Sequence, residues 1–137
     1  MSVPGFRRDK GKLDINTKAR KLCTYTLQIT ANDKIFLPSQ QYFIQRLNAV
    51  ALDIQRRCWL ANNIYVNGNM ERYKTRLEHE AKAIDACIDL LALIDIAKSL
   101  FHLTTKRATY WSNMVIDLRK DIRAWRTDDS KRLLPSN

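Results

Sequence analysis

Three arginines near the C-terminus have a spacing that suits them to binding phosphate. Arg119, Arg123 and Arg126 recur at i, i+4 and i+7, so a helix would carry their guanidinium groups along one flank. A guanidinium pairs with phosphate through a planar fork of N–H donors. The pattern therefore predicts a polyanion-binding flank, and Lys120, which points away from the core, adds a further phosphate contact.

The same helix carries acidic residues about as far to the other side of its apolar seam: Asp117, Asp121 and Asp128. A helix with one basic and one acidic flank suits a head-to-tail contact, in which the basic edge of one subunit meets the acidic edge of the next. The alternative interpretation is that both flanks pair with neighbouring helices of the same chain or are solvated.

Other basic residues are predicted to contact phosphate from an N-terminal arm and from the second helix: Arg7, Arg8, Lys18, Arg20, Lys21, Arg56 and Arg57. Trp59 lies off the core stripe of the second helix. Arginine beside an exposed aromatic ring is typical of single-stranded nucleic-acid binding, where the ring stacks on a base. Packing of Trp59 against another helix or a partner subunit is the alternative interpretation.

Residues suited to catalysis are sparse. The two histidines are His79 and His102, and no glutamate begins a Glu-x-x-His pair of the kind that holds two metal ions in helical bundles. No phosphate-binding or dinucleotide-binding glycine motif occurs. We therefore predict no catalytic residues, no metal and no cofactor. Arg72 and His79 do fit the loose Arg-x(4–6)-His spacing of helical ribonucleases of the HEPN type, which remains an enzymatic alternative.

The composition favours helices as the elements that position these residues. The chain has 137 residues, a formal net charge of +10, and only three glycines and three prolines. So few helix-breaking residues argue against an all-β fold and against Gly- or Pro-rich disorder. The length fits a single domain.

Apolar periodicity predicts four helices. The second should run from Gln40 to Val66 with Ser39 as N-cap, and the third from Asn69 to about Phe101 after an Asn67-Gly68-Asn69 turn. Thr104 should cap the fourth helix, and a weaker first helix should cover 17–30. The expected core stripes of the second, third and fourth helices are, in that order, Phe43, Leu47, Val50, Ile54, Cys58 and Ala61; then Leu77, Ala81, Ile84, Ile88, Leu91 and Ile94 or Asp95; then Trp111, Val115, Leu118, Ile122 and Trp125.

Short turns between long helices predict an all-α, up-down antiparallel four-helix bundle in a single domain. We expect a basic, flexible N-terminal arm over 1–16, the bundle over 17–127 and a C-terminal tail over 128–137. The C-terminal half of the third helix is apolar nearly all round, so that helix should be the most buried.

The cellular setting is predicted from what the sequence lacks. The basic N-terminal segment contains no apolar run resembling a signal peptide, and no stretch reaches the length of a membrane span. Three widely spaced cysteines, Cys23, Cys58 and Cys87, fit free thiols in a reducing compartment. We expect a cytoplasmic protein with no membrane partner.

The positive charge is unevenly distributed along the chain. Residues 1–38 carry eight Lys and Arg against three Asp and Glu, and residues 104–137 carry eight against four. Residues 69–103 carry five against six, so the third helix is close to neutral. A polyanion should therefore meet the N-terminal segment, the second helix and the fourth helix.

Several core and turn positions resemble those of a known family. These are Ile94-Asp95-Ile96-Ala97, Leu100, Leu103-Thr104, Lys106-Arg107, Tyr110-Trp111 and Ala124-Trp125, preceded by Tyr25-Thr26-Leu27, Phe43, Leu47-x-x-x-Ala51-Leu52-Asp53-Ile54 and Ala61-Asn62. Over about residues 17–127 the chain resembles the accessory variability determinant proteins, Avd, of diversity-generating retroelements. Four-helix proteins encoded in ribosomal-RNA intervening sequences share the same skeleton and are the nearest alternative.

The resemblance implies a homopentamer of four-helix bundles with a positively charged surface. It implies association with a reverse transcriptase and its template RNA, with DNA or an RNA/DNA hybrid as further ligands. The expected role is that of a non-enzymatic partner in mutagenic cDNA synthesis. The N-terminal arm is longer than the family pattern leads us to expect, and the pair Arg56-Arg57 matches no family motif.

Overall fold

The computed structural model describes the backbone of residues 3–133 and the side chains of residues 14–132. Its long helices are α1 (Val3–Thr30), α2 (Gln41–Asn63), α3 (Met70–Leu100) and α4 (Thr105–Leu133), with a 3-10 turn at Pro38–Gln40. α1 packs against α2 and α4, and α3 packs against the same two helices. The prediction of an all-α, up-down four-helix bundle in a single domain is therefore confirmed.

Both ends of the bundle extend beyond the predicted limits. α1 begins at Val3, so the backbone of residues 3–16, expected to be a flexible arm, is helical; Ile15 already lies in the core. α4 continues to Leu133 because Asp129, in the predicted tail, is buried within the bundle. Residues 134–137 lie outside the described residues.

Of the predicted turn and two predicted caps, the turn and the Thr104 cap are confirmed. Asn67 and Gly68 adopt positive φ angles of 45° and 76°, which closes the turn between α2 and α3. The Asn69 side chain accepts a hydrogen bond from the Arg72 amide, and Thr104 caps α4 in the same way. Ser39 is not the N-cap of α2, since it lies in the 3-10 turn and Gln40 takes that position without a side-chain bond.

The core stripes of α2 and α4 follow the predicted periodicity. All five predicted seam residues of α4 are buried, from Trp111 to Trp125. On α2 the stripe is confirmed except at its start, where Ile44 is buried in place of Phe43. Phe43 is partly buried and packs on Phe101, with ring centroids 5.9 Å apart.

The predicted stripe of α3 is wrong by one residue except at Ile94, which is buried as predicted. The residues that face the core are Arg76, Glu80, Ala83, Cys87, Leu90, Ile94 and Ala97. Ile84 and Leu91 of the predicted stripe are only partly buried. An apolar segment that continues round the helix does not determine which face turns inward, so packing and the buried contacts of Arg76 with Asp129 and Glu80 decide it. Ile88 and Ile96 are consequently about half exposed, and the helix is not buried all round.

One buried hydrogen bond joins α1 to α4 through the core. The Trp111 indole N–H donates to the Thr26 hydroxyl over 3.0 Å, and that hydroxyl donates to the Leu22 carbonyl over 2.9 Å. Both side chains are fully buried. The indole therefore has its partner only while Thr26 supplies an oxygen.

We expect Thr26→Val to lower the free energy of unfolding by about 1–3 kcal/mol, because it leaves the Trp111 N–H buried without a partner. Thr26→Ser keeps the hydroxyl and should lose less. Urea denaturation of the two variants and the wild-type chain measures the difference. Equal stability of the Thr26→Val variant and the wild-type protein would show that the bond contributes nothing.

No helix in the described part of the chain combines the length and the low polarity needed to cross a bilayer.

Candidate nucleic-acid interface

The basic flank of α4 lies along the groove between α3 and α4. The Arg126 Nε donates to the Leu77 carbonyl of α3 over 3.2 Å. Arg119 is half-buried near Cys87 of α3, whose thiol pKa it lowers against the larger effect of burial, which raises that pKa to about 12. Arg123 is exposed. The three predicted arginines therefore share one surface.

A shallow depression in this groove is lined by Ile84, Arg123, Arg126, Thr127, Ser130 and Lys131. None of these residues is acidic, and Lys131 extends the basic surface by one more turn. Lys120 is exposed on the outward side of α4. The α3–α4 edge therefore presents several cations, and no carboxylate of the depression would repel a bound polyanion.

The acidic flank of α4 is engaged within the chain. Lys18 of α1 lies 2.9 Å from Asp117 and also pairs with Asp121. Hydrogen bonds to Asp121 and then to Asp117 raise the pKa of Lys18. Lys18, predicted as a phosphate contact, is engaged in the packing of α1 on α4. Two of the three aspartates expected to meet another subunit therefore pair with Lys18 of the same chain. This agrees with the alternative interpretation, in which the flank pairs with a neighbouring helix.

The other predicted contacts divide by exposure. Arg20 and Lys21 are exposed on α1. Arg56 is exposed and lies 3.8 Å from Asp53. Arg57 is mostly buried between α2 and α3, where its Nη1 lies 3.0 Å from His79 Nδ1. Arg57, predicted as a phosphate contact, therefore joins two helices. The side chains of Arg7 and Arg8 lie outside the described residues.

The Arg57 contact determines the protonation state of His79. A guanidinium only donates, so Nδ1 must accept and the ring proton resides on Nε2. Burial, followed by the charge of Arg57, lowers the pKa of His79. Arg72, the other half of the ribonuclease-like spacing, donates to the Tyr65 carbonyl over 3.0 Å. Arg72 and His79 thus have different partners in the structure.

A buried ionic cluster was not predicted from the sequence. Arg76 binds both carboxylate oxygens of Asp129, at 2.8 and 3.0 Å, and its Nε lies 3.5 Å from Glu80. Its guanidinium stacks over the Trp125 ring at 5.5 Å. Burial and then the neighbouring Asp129 raise the pKa of Glu80 to about 9, so its carboxyl is protonated at neutral pH.

A signal for this cluster exists in the sequence. Asp129 follows Trp125 by four residues and so continues the core seam of α4. Arg76 and Glu80 are spaced i, i+4 and can share one face of α3. A carboxylate at a seam position requires a buried cation, which identifies Arg76 as its partner.

Within residues 14–132, no three His, Cys, Asp or Glu side chains form a group that could hold a metal ion. Arg119, Arg123 and Arg126 form the candidate interface, with Lys120 exposed beside them. Comparison of the chain with protein-family models, with curated proteins and with solved structures gives no match.

Proposed function

We propose that this protein is a non-enzymatic RNA-binding bundle that acts beside a reverse transcriptase. The observation that supports it is the basic flank formed by Arg119, Arg123 and Arg126 along the α3–α4 groove. The flank spans about 10 Å of helix at 1.5 Å per residue, and Lys120 and Lys131 widen it. Such a row contacts successive phosphates of a strand without reading base identity.

The charge balance of the bundle supports this location for the RNA. Lys18 neutralises the acidic flank of α4 from within the chain. The positive charge of the opposite flank is therefore not offset by those carboxylates. Arg20, Lys21 and Arg56 are exposed on α1 and α2, the two helices that do not form this groove.

The reverse transcriptase, the template RNA and the pentameric assembly enter the proposal through the resemblance to Avd proteins. In this role the bundle would hold the template of a diversity-generating retroelement during mutagenic cDNA synthesis in the cytoplasm. DNA and RNA/DNA hybrids share the phosphate backbone and are further ligands of the same surface. An intervening-sequence protein that binds ribosomal RNA is the alternative with the same chemistry.

RNA affinity measured against salt tests the proposal. If five or more phosphates are engaged, we expect the affinity of wild-type protein for a structured RNA to fall by about two or more decades between low and moderately high salt. Changing Arg119, Arg123 and Arg126 together to Gln should weaken binding and reduce the slope of log K against log salt by about 2.

The matched control changes three exposed lysines at the opposite end of the bundle, Lys34, Lys98 and Lys106, to Gln. It removes the same charge and should leave the slope within about one unit of wild type. Thermal melts confirm that both variants fold. Equal slopes for the two triple variants would contradict the proposed surface.

The same RNA, incubated with the protein and analysed on a gel, tests the ribonuclease alternative. Intact RNA supports a non-enzymatic protein. Cleavage that is abolished by His79→Ala would replace the proposal with an enzyme.

A further inference from the structure

A single side-chain contact joins α2 to α3 about two turns before α2 ends. The Arg57 Nη1 donates to His79 Nδ1 over 3.0 Å. Arg57 is otherwise weakly held, because its Nε is buried without a hydrogen-bond partner among the described residues and lies 3.5 Å from Asp53 Oδ1. The imidazole is therefore the main acceptor for a guanidinium whose side chain is only 20% exposed.

This contact can exist only while the His79 ring is neutral. A neutral imidazole has one nitrogen that accepts, whereas the imidazolium ion carries a proton on both nitrogens, and a guanidinium has no acceptor. A proton on Nδ1 would place two N–H groups, both on cations, against each other at 3.0 Å. Turning the ring does not restore the bond, because Nε2 carries a proton as well. Protonation of His79 must therefore break its contact with Arg57.

The charges around His79 add to this repulsion. The charged groups that act on the ring are Arg57 and Arg56 of α2, with Glu78 and Lys82 of α3 itself. Three of these four groups are cations, and the one carboxylate, Glu78, is paired with Lys82 at 2.9 Å. α4 packs on the opposite side of α3, about 200° round the helix, where Arg126 donates to the Leu77 carbonyl. An imidazolium at position 79 would thus face mostly positive charge.

We propose that this contact is a pH-sensitive switch, in which uptake of a proton by His79 releases Arg57 and the guanidinium turns outward to solvent beside Arg56. The outward position offers Arg57 a carboxylate, because Asp53 is 42% exposed and already lies 3.5 Å from its Nε. Release also removes a side-chain contact between α2 and α3 near the turn that connects them. The inference goes beyond the proposed RNA binding and does not depend on it.

The released state is favoured at acid pH. Burial and then the charge of Arg57 lower the pKa of His79 from its ordinary value of 6.5. The contact is therefore fully formed above about pH 6.5, and it is lost as the pH falls through the lower pKa of the folded state. Arg57, which the sequence predicts as a phosphate contact, becomes available to an anion only in this acid state.

NMR of the full chain without RNA tests both halves of the switch. The imidazole nitrogens of His79 report the pH at which the ring takes up a proton, and the Arg57 Nε–H signal reports whether the guanidinium is held or solvated. We expect both to change at the same pH.

Amide hydrogen exchange then compares the chain about one pH unit above and below that point, after correction for the intrinsic exchange rates. Because a bond to a charged group is lost, the last turn of α2 and the first turns of α3 should open at least about tenfold more often on the acid side.

His79→Gln gives the sharpest result, because its amide oxygen can accept from Arg57 while the side chain cannot ionise. Neither the Arg57 signal nor the amide exchange of this region should then depend on pH. His102→Gln is the matched control, since it removes the other histidine, which is exposed, and should behave like wild type. Thermal melts confirm folding, and His79→Asn replaces His79→Gln if that variant melts early.

Three results would overturn the proposal. The first is a His79 ring that stays neutral until the whole chain unfolds, and the second is a protonated ring with an unchanged Arg57 signal. The third is a His79→Gln variant that keeps the pH dependence of the wild-type chain. RNA affinity is measured separately against salt, so none of these results contradicts the proposed function.

Discussion

Replacing Arg76 with methionine will lower the free energy of unfolding by about 3–5 kcal/mol. Arg76 is 6% exposed and is the only described cation bound bidentately to the buried Asp129 carboxylate. Without it, the buried Asp129 carboxylate keeps only the distant Arg132, at 4.0 Å, as a cation partner, or must take up a proton. Either course is unfavourable, and the stacking of Arg76 on Trp125 is lost as well.

Urea denaturation measures this effect, and Lys82→Met is its control. Lys82 forms an exposed i, i+4 pair with Glu78 at 2.9 Å, so its replacement should cost less than about 1 kcal/mol. Arg76→Met combined with Asp129→Leu removes both charges and should recover most of the loss. If Arg76→Met were no more destabilising than Lys82→Met, the cluster would not stabilise the bundle.

The stability of the protein should fall as the pH rises from weakly acidic to alkaline values. The Glu80 carboxyl has a pKa near 4.5 in the unfolded chain and about 9 in the fold. Between these values the folded state holds a proton that the unfolded state releases, so raising the pH favours unfolding. The stability that protonated Glu80 contributes is fully present below about pH 4.5 and is lost as the pH rises toward 9. The loss is at most about 1.4 kcal/mol per pH unit.

Glu80→Gln should flatten this dependence, because an amide keeps a donor for Asp129 but cannot ionise. We expect the variant to be close in stability to wild type at about pH 5 and more stable than wild type by up to about 4 kcal/mol at about pH 8. Denaturation midpoints across this range measure the effect. Glu78→Gln, an exposed neighbour on α3, is the control. Parallel curves for Glu80→Gln and wild type would show that Glu80 does not hold the proton.

The fold was predictable where polar residues interrupt the apolar ones at a helical period. The α4 seam from Trp111 to Trp125 is flanked by charged residues, so only one face can turn inward. The segment around Ile88 and Ile96 lacks that contrast, and its orientation depends on the neighbouring helices. The length of α1 was also missed, since the arm gives a weak periodic signal.

The candidate site was predictable only in part, for a related reason. The spacing of Arg119, Arg123 and Arg126 depends on one helix alone, so the sequence indicates their shared flank. Lys18 and Arg57 find their partners on other helices, at distances that depend on register between helices. The pattern of a single helix does not contain that register. The sequence therefore did not indicate the contacts of these two residues with other helices, and both were predicted to contact phosphate.

The buried thiols of Cys58 and Cys87 can report how often the bundle opens. Burial raises the pKa of Cys58 and Cys87, so neither forms the reactive thiolate while α2 and α3 remain packed. An alkylating reagent can modify them only after the two helices separate. The rate of alkylation thus reports how often this half of the bundle opens, in a chain that needs no added label.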